Sequence, residues 1–267
     1  MAKKKTTAIV PLTGEAAERA IGSTQAVAKI VGSGGELVRE GDTTLVTGRS
    51  YLTSAGVIDA DEIYYVADSG RSSEEGRRLG EADKVAWRDP ATGYECIMMR
   101  ATDGGHLSGY VGIPRDHPLW GWKYEAVPVD FGIEVHGGLT YGRICEDGPT
   151  PERRITADAR RICHVPRGQV RYEPIAHATD YRVEDAHAWW FGFDCDHAYD
   201  VVPGRAKDHQ PFMAAEIGGE YRDDGYVYRE VRNLASQLRA IADGEPAPPR
   251  DGPPPPPISL DPGAGGR

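Results

Sequence analysis

Trp189-Trp190-Phe191-Gly192-Phe193-Asp194-Cys195-Asp196-His197-Ala198-Tyr199-Asp200 is an aromatic strand that runs directly into acids, a thiol and an imidazole. Aromatic side chains suit a pleated, half-buried surface, and alternation sets Trp190 opposite Trp189, Phe191 and Phe193. The larger set is expected in the core, which leaves Trp190 as a candidate to stack on a ligand ring. A second cluster, Glu134-Val135-His136-Gly137-Gly138, ends another strand-like run, Phe131 to His136. Strand ends carrying His and Asp are where a small fold builds a site.

Working outward, the next clear signal is helical. Val227, Val231, Leu234, Leu238 and Ile241 recur at helical spacing and form one apolar stripe, with Asp223 or Asp224 as N-cap and Gly244 as stop. The stripe is expected to pack on a sheet. Strands are read at Glu36–Arg39 and Thr43–Val46 around a Gly41-Asp42 turn. Others are read at Ile63–Val66, Tyr94–Met99, Leu107–Ile113, Ile162–Val165 and Ala188–Phe193. A helix is read over Thr13–Val31. The fold class is therefore α+β: a mostly antiparallel sheet with the C-terminal helix on one face. Residues 1–8 read as a basic tail, 9–85 as a small N-terminal α+β region, 86–243 as the main domain, and 244–267 as a disordered Pro-rich tail.

That tail holds nine of the 20 prolines, which explains part of the low hydrophobic content of 39%. A net charge of −10 disfavours non-specific nucleic-acid binding, which depends on phosphate neutralisation. No apolar run reaches the length of about 20 residues that crosses a bilayer, so a soluble cytoplasmic protein is expected. The sequence sets no oligomeric state. Cys96, Cys145, Cys163 and Cys195 are widely spaced and read as free thiols of a reducing compartment. Cys195, flanked by acids, should have a raised thiol pKa and sit in the core rather than act as a nucleophile.

An ordered set of motifs runs from Trp87-Arg88-Asp89-Pro90 through Gly109-Tyr110-Val111-Gly112-Ile113-Pro114, His117-Pro118 and His136-Gly137-Gly138-Leu139-Thr140-Tyr141. It continues with Cys163-His164-Val165-Pro166, the Trp189–Asp200 stretch and Tyr221-Arg222-Asp223. Over about residues 86–242 the chain resembles a family of uncharacterised proteins of tailed phages and prophages. The resemblance implies expression in an infected or lysogenic bacterium and carries no activity with it.

The residues themselves suggest chemistry. His136, His197, Asp194 and Asp200 are candidate catalytic groups, since a carboxylate beside an imidazole holds its tautomer and raises its basicity. His136, His197 and Asp194 are also a candidate ligand set for a divalent metal such as zinc or manganese. Glu134 shares a face with His136, and Gly137 and Gly138 can present amides to an anion. Arg153 and Arg154 open an arginine-rich stretch suited to phosphate or carboxylate. The leading expectation is a hydrolase acting on a small anionic, nucleotide-like or phosphorylated substrate. The alternatives are a protein that sequesters a small ligand or docks on a host protein, and a virion-associated accessory protein.

Overall fold

The computed structural model describes residues 8–10, 14–67, 80–145, 154–164, 171–174, 181–184, 188–204 and 219–254. In chain order the elements are β1 (Ala8–Val10), α1 (Gly14–Ile21), α2 (Thr24–Ala28), β2 (Ile30–Val31), β3 (Glu36–Glu40), β4 (Thr43–Thr53), β5 (Gly56–Val66) and β6 (Lys84–Arg88). They continue with β7 (Glu95–Arg100), β8 (Leu107–Ile113), β9 (Tyr141–Ile144), α3 (Arg154–Asp158), β10 (Arg171–Pro174), β11 (Tyr181–Glu184), β12 (Trp189–Asp194) and α4 (Asp224–Asp243). The class is α+β, with a largely antiparallel sheet and the C-terminal helix packed against it.

Ten strands form that sheet, in the order β1-β3-β4-β5-β6-β7-β8-β12-β9, with β2 paired to β4. β10 and β11 pair separately. The run from β3 to β8 is a meander, with a short Gly-containing turn between β3 and β4. The sheet then takes β12 into place between β8 and β9. β6 pairs with β5 through Glu62–Tyr64. The boundary expected near residue 85 is therefore crossed by strand pairing, and the 9–85 region shares the sheet and core of the rest.

One face carries α4. Val227, Val231, Leu234, Leu238 and Ile241 are all buried there with Ile63, Trp87, Val111, Phe191 and Phe193. The same cluster takes in Ala17, Ile21 and Ala26 from α1 and α2. Asp223 caps α4 by accepting from the Tyr226 N–H, and Gly244 ends it at φ +70°. The opposite face carries the α3 segment, with Val38, Leu45, Tyr64, Val66, Ile155 and Ala159 in one cluster and Ala86, Ile97, Tyr110 and Trp190 in another. Lys84, buried on that side, donates to the carbonyls of Asp158, Arg161 and Cys163 at 2.5, 2.8 and 2.9 Å. A buried ammonium is thereby fully hydrogen-bonded at a helix C-terminus, where the backbone dipole favours a cation.

Several sequence expectations change. The helix read over Thr13–Val31 is broken at Gly22, and α2 restarts under a Ser23 cap before β2 begins. Phe131–His136 is not a strand; Val129–Phe131 is a 3-10 turn and Gly132 takes φ +68°. Cys163 and His164 lie in an irregular segment rather than a strand. Cys145 and Cys163 are bonded to each other, with Cα atoms 5.2 Å apart, whereas Cys96 and Cys195 are buried free thiols. The chain beyond Gly244, expected as a solvated tail, returns along α4 as far as Pro254. There Asn233 exchanges two hydrogen bonds with the Asp251 backbone, both 2.9 Å.

Gly109 on β8 sets the approach of α4. A Cβ there would stand 2.5 Å from both the Phe193 ring and the Val231 side chain. Gly109→Ala should cost about 1–3 kcal/mol through overpacking, read as a lower denaturation midpoint with an unchanged denaturant slope.

Candidate functional site

His136 and His197 do converge. Their ring centroids are 5.3 Å apart, and Tyr199 and Tyr226 stand edge-on to His136 at 5.8 and 5.4 Å. His136 is held by a loop that has no strand partner. Its backbone bonds go instead to side chains of α4, because buried main-chain polar groups must be satisfied somewhere. Glu134 N–H donates to Gln237 Oε1 at 2.9 Å and Gln237 Nε2 donates back to the Glu134 carbonyl at 3.1 Å. His136 N–H donates to Glu230 Oε2 at 3.1 Å, and Arg250 from the returning segment binds the other Glu230 oxygen.

The imidazole of His136 is fully buried, at 0% exposure, and both ring nitrogens are engaged. Nε2 lies 2.7 Å from Asp200 Oδ2 and Nδ1 lies 2.8 Å from the Tyr226 hydroxyl. With Nε2–H given to the carboxylate, Nδ1 accepts from tyrosine. Asp200 also accepts from the His197 N–H at 3.0 Å and from Arg222 Nε at 2.9 Å. Burial alone would raise the Asp200 carboxyl. Hydrogen bonds from His136 and Arg222 outweigh it and hold the group below the usual carboxylate range. Gly137, at φ +64°, lies directly under the His197 ring, and a Cβ there would overlap it. Gly138 N–H donates to the Val135 carbonyl at 3.1 Å. The glycine pair thus admits an imidazole and closes a turn, rather than cradling an anion.

Asp194 is not part of this group. Phe191 and Phe193 point to α4, so the alternate residues Trp190, Gly192 and Asp194 face the other side of the sheet. There Asp194 accepts from Thr140 Oγ1 at 2.7 Å. The expected metal set of His136, His197 and Asp194 is therefore not assembled. Trp190 is fully buried against Ala86, Ile97 and Tyr110, so it offers no open stacking face. Glu134 is exposed and lines a shallow groove of about 580 Å3 with Gln237 and Pro246–Pro249. Arg154 is committed to Asp158 at 2.8 Å, and Arg153 lies outside the described residues. Cys195 is buried with its thiol raised by burial and by Asp200 and Asp194, as its acidic flanks imply.

On the Asp194 face lies a cavity of about 430 Å3. Its wall includes His106, Ser108, Tyr110, Asp194, Asp196 and Arg160. The volume falls within the range of about 300–1,000 Å3 usual for small-molecule sites. Burial, and then the Asp194 carboxylate, push the Tyr110 phenol up, so it remains a hydrogen-bond donor. The wall carries Asp83, Asp103, Asp194 and Asp196 against Arg100 and Arg160, so its net sign is acidic, and Arg160 pairs with Asp42 at 2.6 Å. In the sequence this site is marked by Asp194-x-Asp196 at the end of β12. Ser108 and Tyr110, two apart on β8, give the matching period on the neighbouring strand.

Two further polar groups were not anticipated. At the α4 N-terminus, Asp224 binds Lys29 and the Tyr51 hydroxyl, and its N–H donates to Glu81, which in turn holds Arg100 and Tyr221. These partners are up to 195 positions apart, so no local pattern marks them. On the α3 face, Asp61, Glu95 and His164 bring one ligand atom each within 4.8 Å of one another and, among the described residues, form the set able to hold a metal ion. Searches against protein-family models, curated proteins and solved structures find no match.

Asp200→Asn should remove about 1–3 kcal/mol, because it weakens the acceptor of the buried His136 bond and of Arg222, which keeps Glu220 at 2.8 Å. The Asp200 pKa is depressed on folding, so its stabilisation is present above the unfolded carboxylate value and disappears as pH falls through the folded one. The acid limb of a stability–pH curve should accordingly be shallower in Asp200→Asn than in the parent protein, in urea titrations at stepped pH.

Proposed function

We propose that the protein binds a small polar molecule in the cavity beside β8 and β12, without turning it over. The observation that carries this reading is the cavity itself: a space of about 430 Å3 walled by Asp194, Asp196, Ser108, Tyr110 and His106. Four acids (Asp83, Asp103, Asp194 and Asp196) against two arginines (Arg100 and Arg160) make the wall net acidic, which favours hydrogen-bond donors over phosphate. The ligand class that fits is uncharged or cationic, with hydroxyl or amine donors, such as a nucleoside, a sugar or a polyamine. A phosphorylated substrate, the first expectation from the sequence, fits the wall poorly.

The hydrolytic reading of His136 and His197 draws less support from the geometry. His136 gives one ring nitrogen to Asp200 and the other to Tyr226, inside the protein. A general base must reach the proton it removes, and a fully buried, doubly engaged imidazole lacks that access. The group reads better as a brace that ties the 134–138 loop to α4 and to Asp200. The resemblance to tailed-phage proteins supports a phage-infected or lysogenic bacterium as the setting for a sequestering role.

The test is native mass spectrometry of the full chain purified from its bacterial host, followed by thermal-shift measurements with nucleosides, sugars, polyamines and nucleotides. The reading expects a retained non-covalent mass, or a shift from the uncharged or cationic compounds, with the compound recovered intact. Asp194→Asn should abolish the effect while the circular dichroism spectrum stays native. Binding confined to phosphorylated compounds, or equal binding by Asp194→Asn, would contradict it.

A further inference from the structure

Behind the sheet, on the α3 face, the chain makes a second polar centre that the cavity does not use. β4 and β5 keep a constant register, yet Gly48 and Asp61 are not themselves paired and Gly48 takes φ +65°. At this kink β5 changes the face it presents: Ile58 and Ala60 belong to the α4-side core before it, and Ile63 and Tyr65 after it. Strict alternation would send Asp61 and Glu62 to opposite faces. The kink instead lets both reach His164.

His164 has a fully buried side chain. Its Nε2 lies 3.2 Å from Asp61 Oδ2 and 3.4 Å from Glu95 Oε2. Its Nδ1 faces the buried Glu62 carboxylate at 3.5 Å. Glu95 gives its other oxygen to Arg88 Nε at 2.7 Å, which fixes the carboxylate with Oε2 turned toward the imidazole. That Oε2 is buried and makes no hydrogen bond among the described residues. A single N–H shared between Asp61 and Glu95 would serve each acceptor only weakly. A metal ion binds several donors at once and would satisfy both. Donors around a four-coordinate ion with bonds of about 2.0–2.1 Å sit about 3.3–3.4 Å apart, close to the two imidazole–carboxylate spacings of 3.2 and 3.4 Å, and all three ligand atoms lie within 4.8 Å of one another.

We propose that Asp61, Glu95 and His164 bind a divalent cation of the zinc–manganese class. His164 Nε2 and one oxygen from each carboxylate are the ligands. The Glu62 carboxylate, 3.5 Å behind Nδ1, is placed where a carboxylate orients a metal-bound histidine. One imidazole with two carboxylates selects against the harder magnesium and calcium ions and suits zinc or manganese. The frame around the set is fixed: Cys163 is bonded to Cys145, and its carbonyl accepts from Lys84. Asp61 is 46% exposed, so solvent reaches the ion and remaining coordination positions are filled by water.

The test is isothermal titration of chelator-treated full-length protein with zinc chloride and manganese chloride, with elemental analysis of the dialysed product. One ion per chain is expected. Asp61→Asn, a change at a half-exposed side chain that the fold tolerates, should weaken binding by roughly 10-fold or more. His164→Gln should abolish it. Asp194→Asn should bind the ion as the parent does, so the result stands apart from the fate of the cavity reading. Absence of a stoichiometric ion, or identical affinity in Asp61→Asn, would overturn the proposal.

Discussion

The two-sidedness of β12 governs which residues of this protein can meet. The strand is flanked by β8 and β9, so its side chains have only the two sheet faces to enter. Phe191 and Phe193 go to α4. Trp190, Gly192 and Asp194 go to the other side. A slip of one residue would send the aromatic rings to the polar face and Asp194 into the apolar core, so burial of the rings fixes the register. Once it is fixed, the acids at and just past the strand end divide between two centres. Asp194 and Asp196 join the cavity, while Asp200, after the turn, joins His136 beneath α4.

α4 does more than cover the sheet. Its apolar stripe fills the core, and Glu230, Asn233 and Gln237, on an adjoining side of the same helix, bind backbone groups of segments that lack strand partners. Those bonds replace ladder hydrogen bonds for the 134–136 loop and for the chain that returns through Asp251. Such substitutions matter because an unsatisfied buried peptide group costs about 1–3 kcal/mol. The loop so held delivers His136 to Asp200, and Gly137 leaves the space that the His197 ring fills. The convergence of the two histidines is therefore a consequence of packing, while polar groups with room beside them lie on the opposite face.

Much of this was legible in the sequence, for physical reasons. The α4 stripe and its Asp223 and Gly244 caps follow from helical periodicity and local hydrogen bonding. β8, β12 and the β3–β4 hairpin follow from aromatic and β-branched runs between turn residues. The meeting of His136 with His197 was inferred correctly, but the strand assigned to His136 was not, because long-range Gln237 and Glu230 contacts supply what a strand partner would. Asp194 was grouped with the histidines because one-dimensional proximity hides the alternation that separates it. The Cys145–Cys163 bond and the Asp61–Glu95–His164 set depend on tertiary closeness of distant positions. The Gly48–Asp61 kink, which breaks alternation, could not be read from residue types alone.

His136 is an internal brace, its imidazole held between Asp200 and Tyr226. Carbethoxylation of the native protein by diethyl pyrocarbonate, followed residue by residue by peptide mass spectrometry against a urea-denatured control, tests this directly. His136 should remain unmodified in the folded protein and react readily once unfolded. Modification of His136 in the native state, at a rate approaching that of the denatured control, would show an open imidazole and contradict the account.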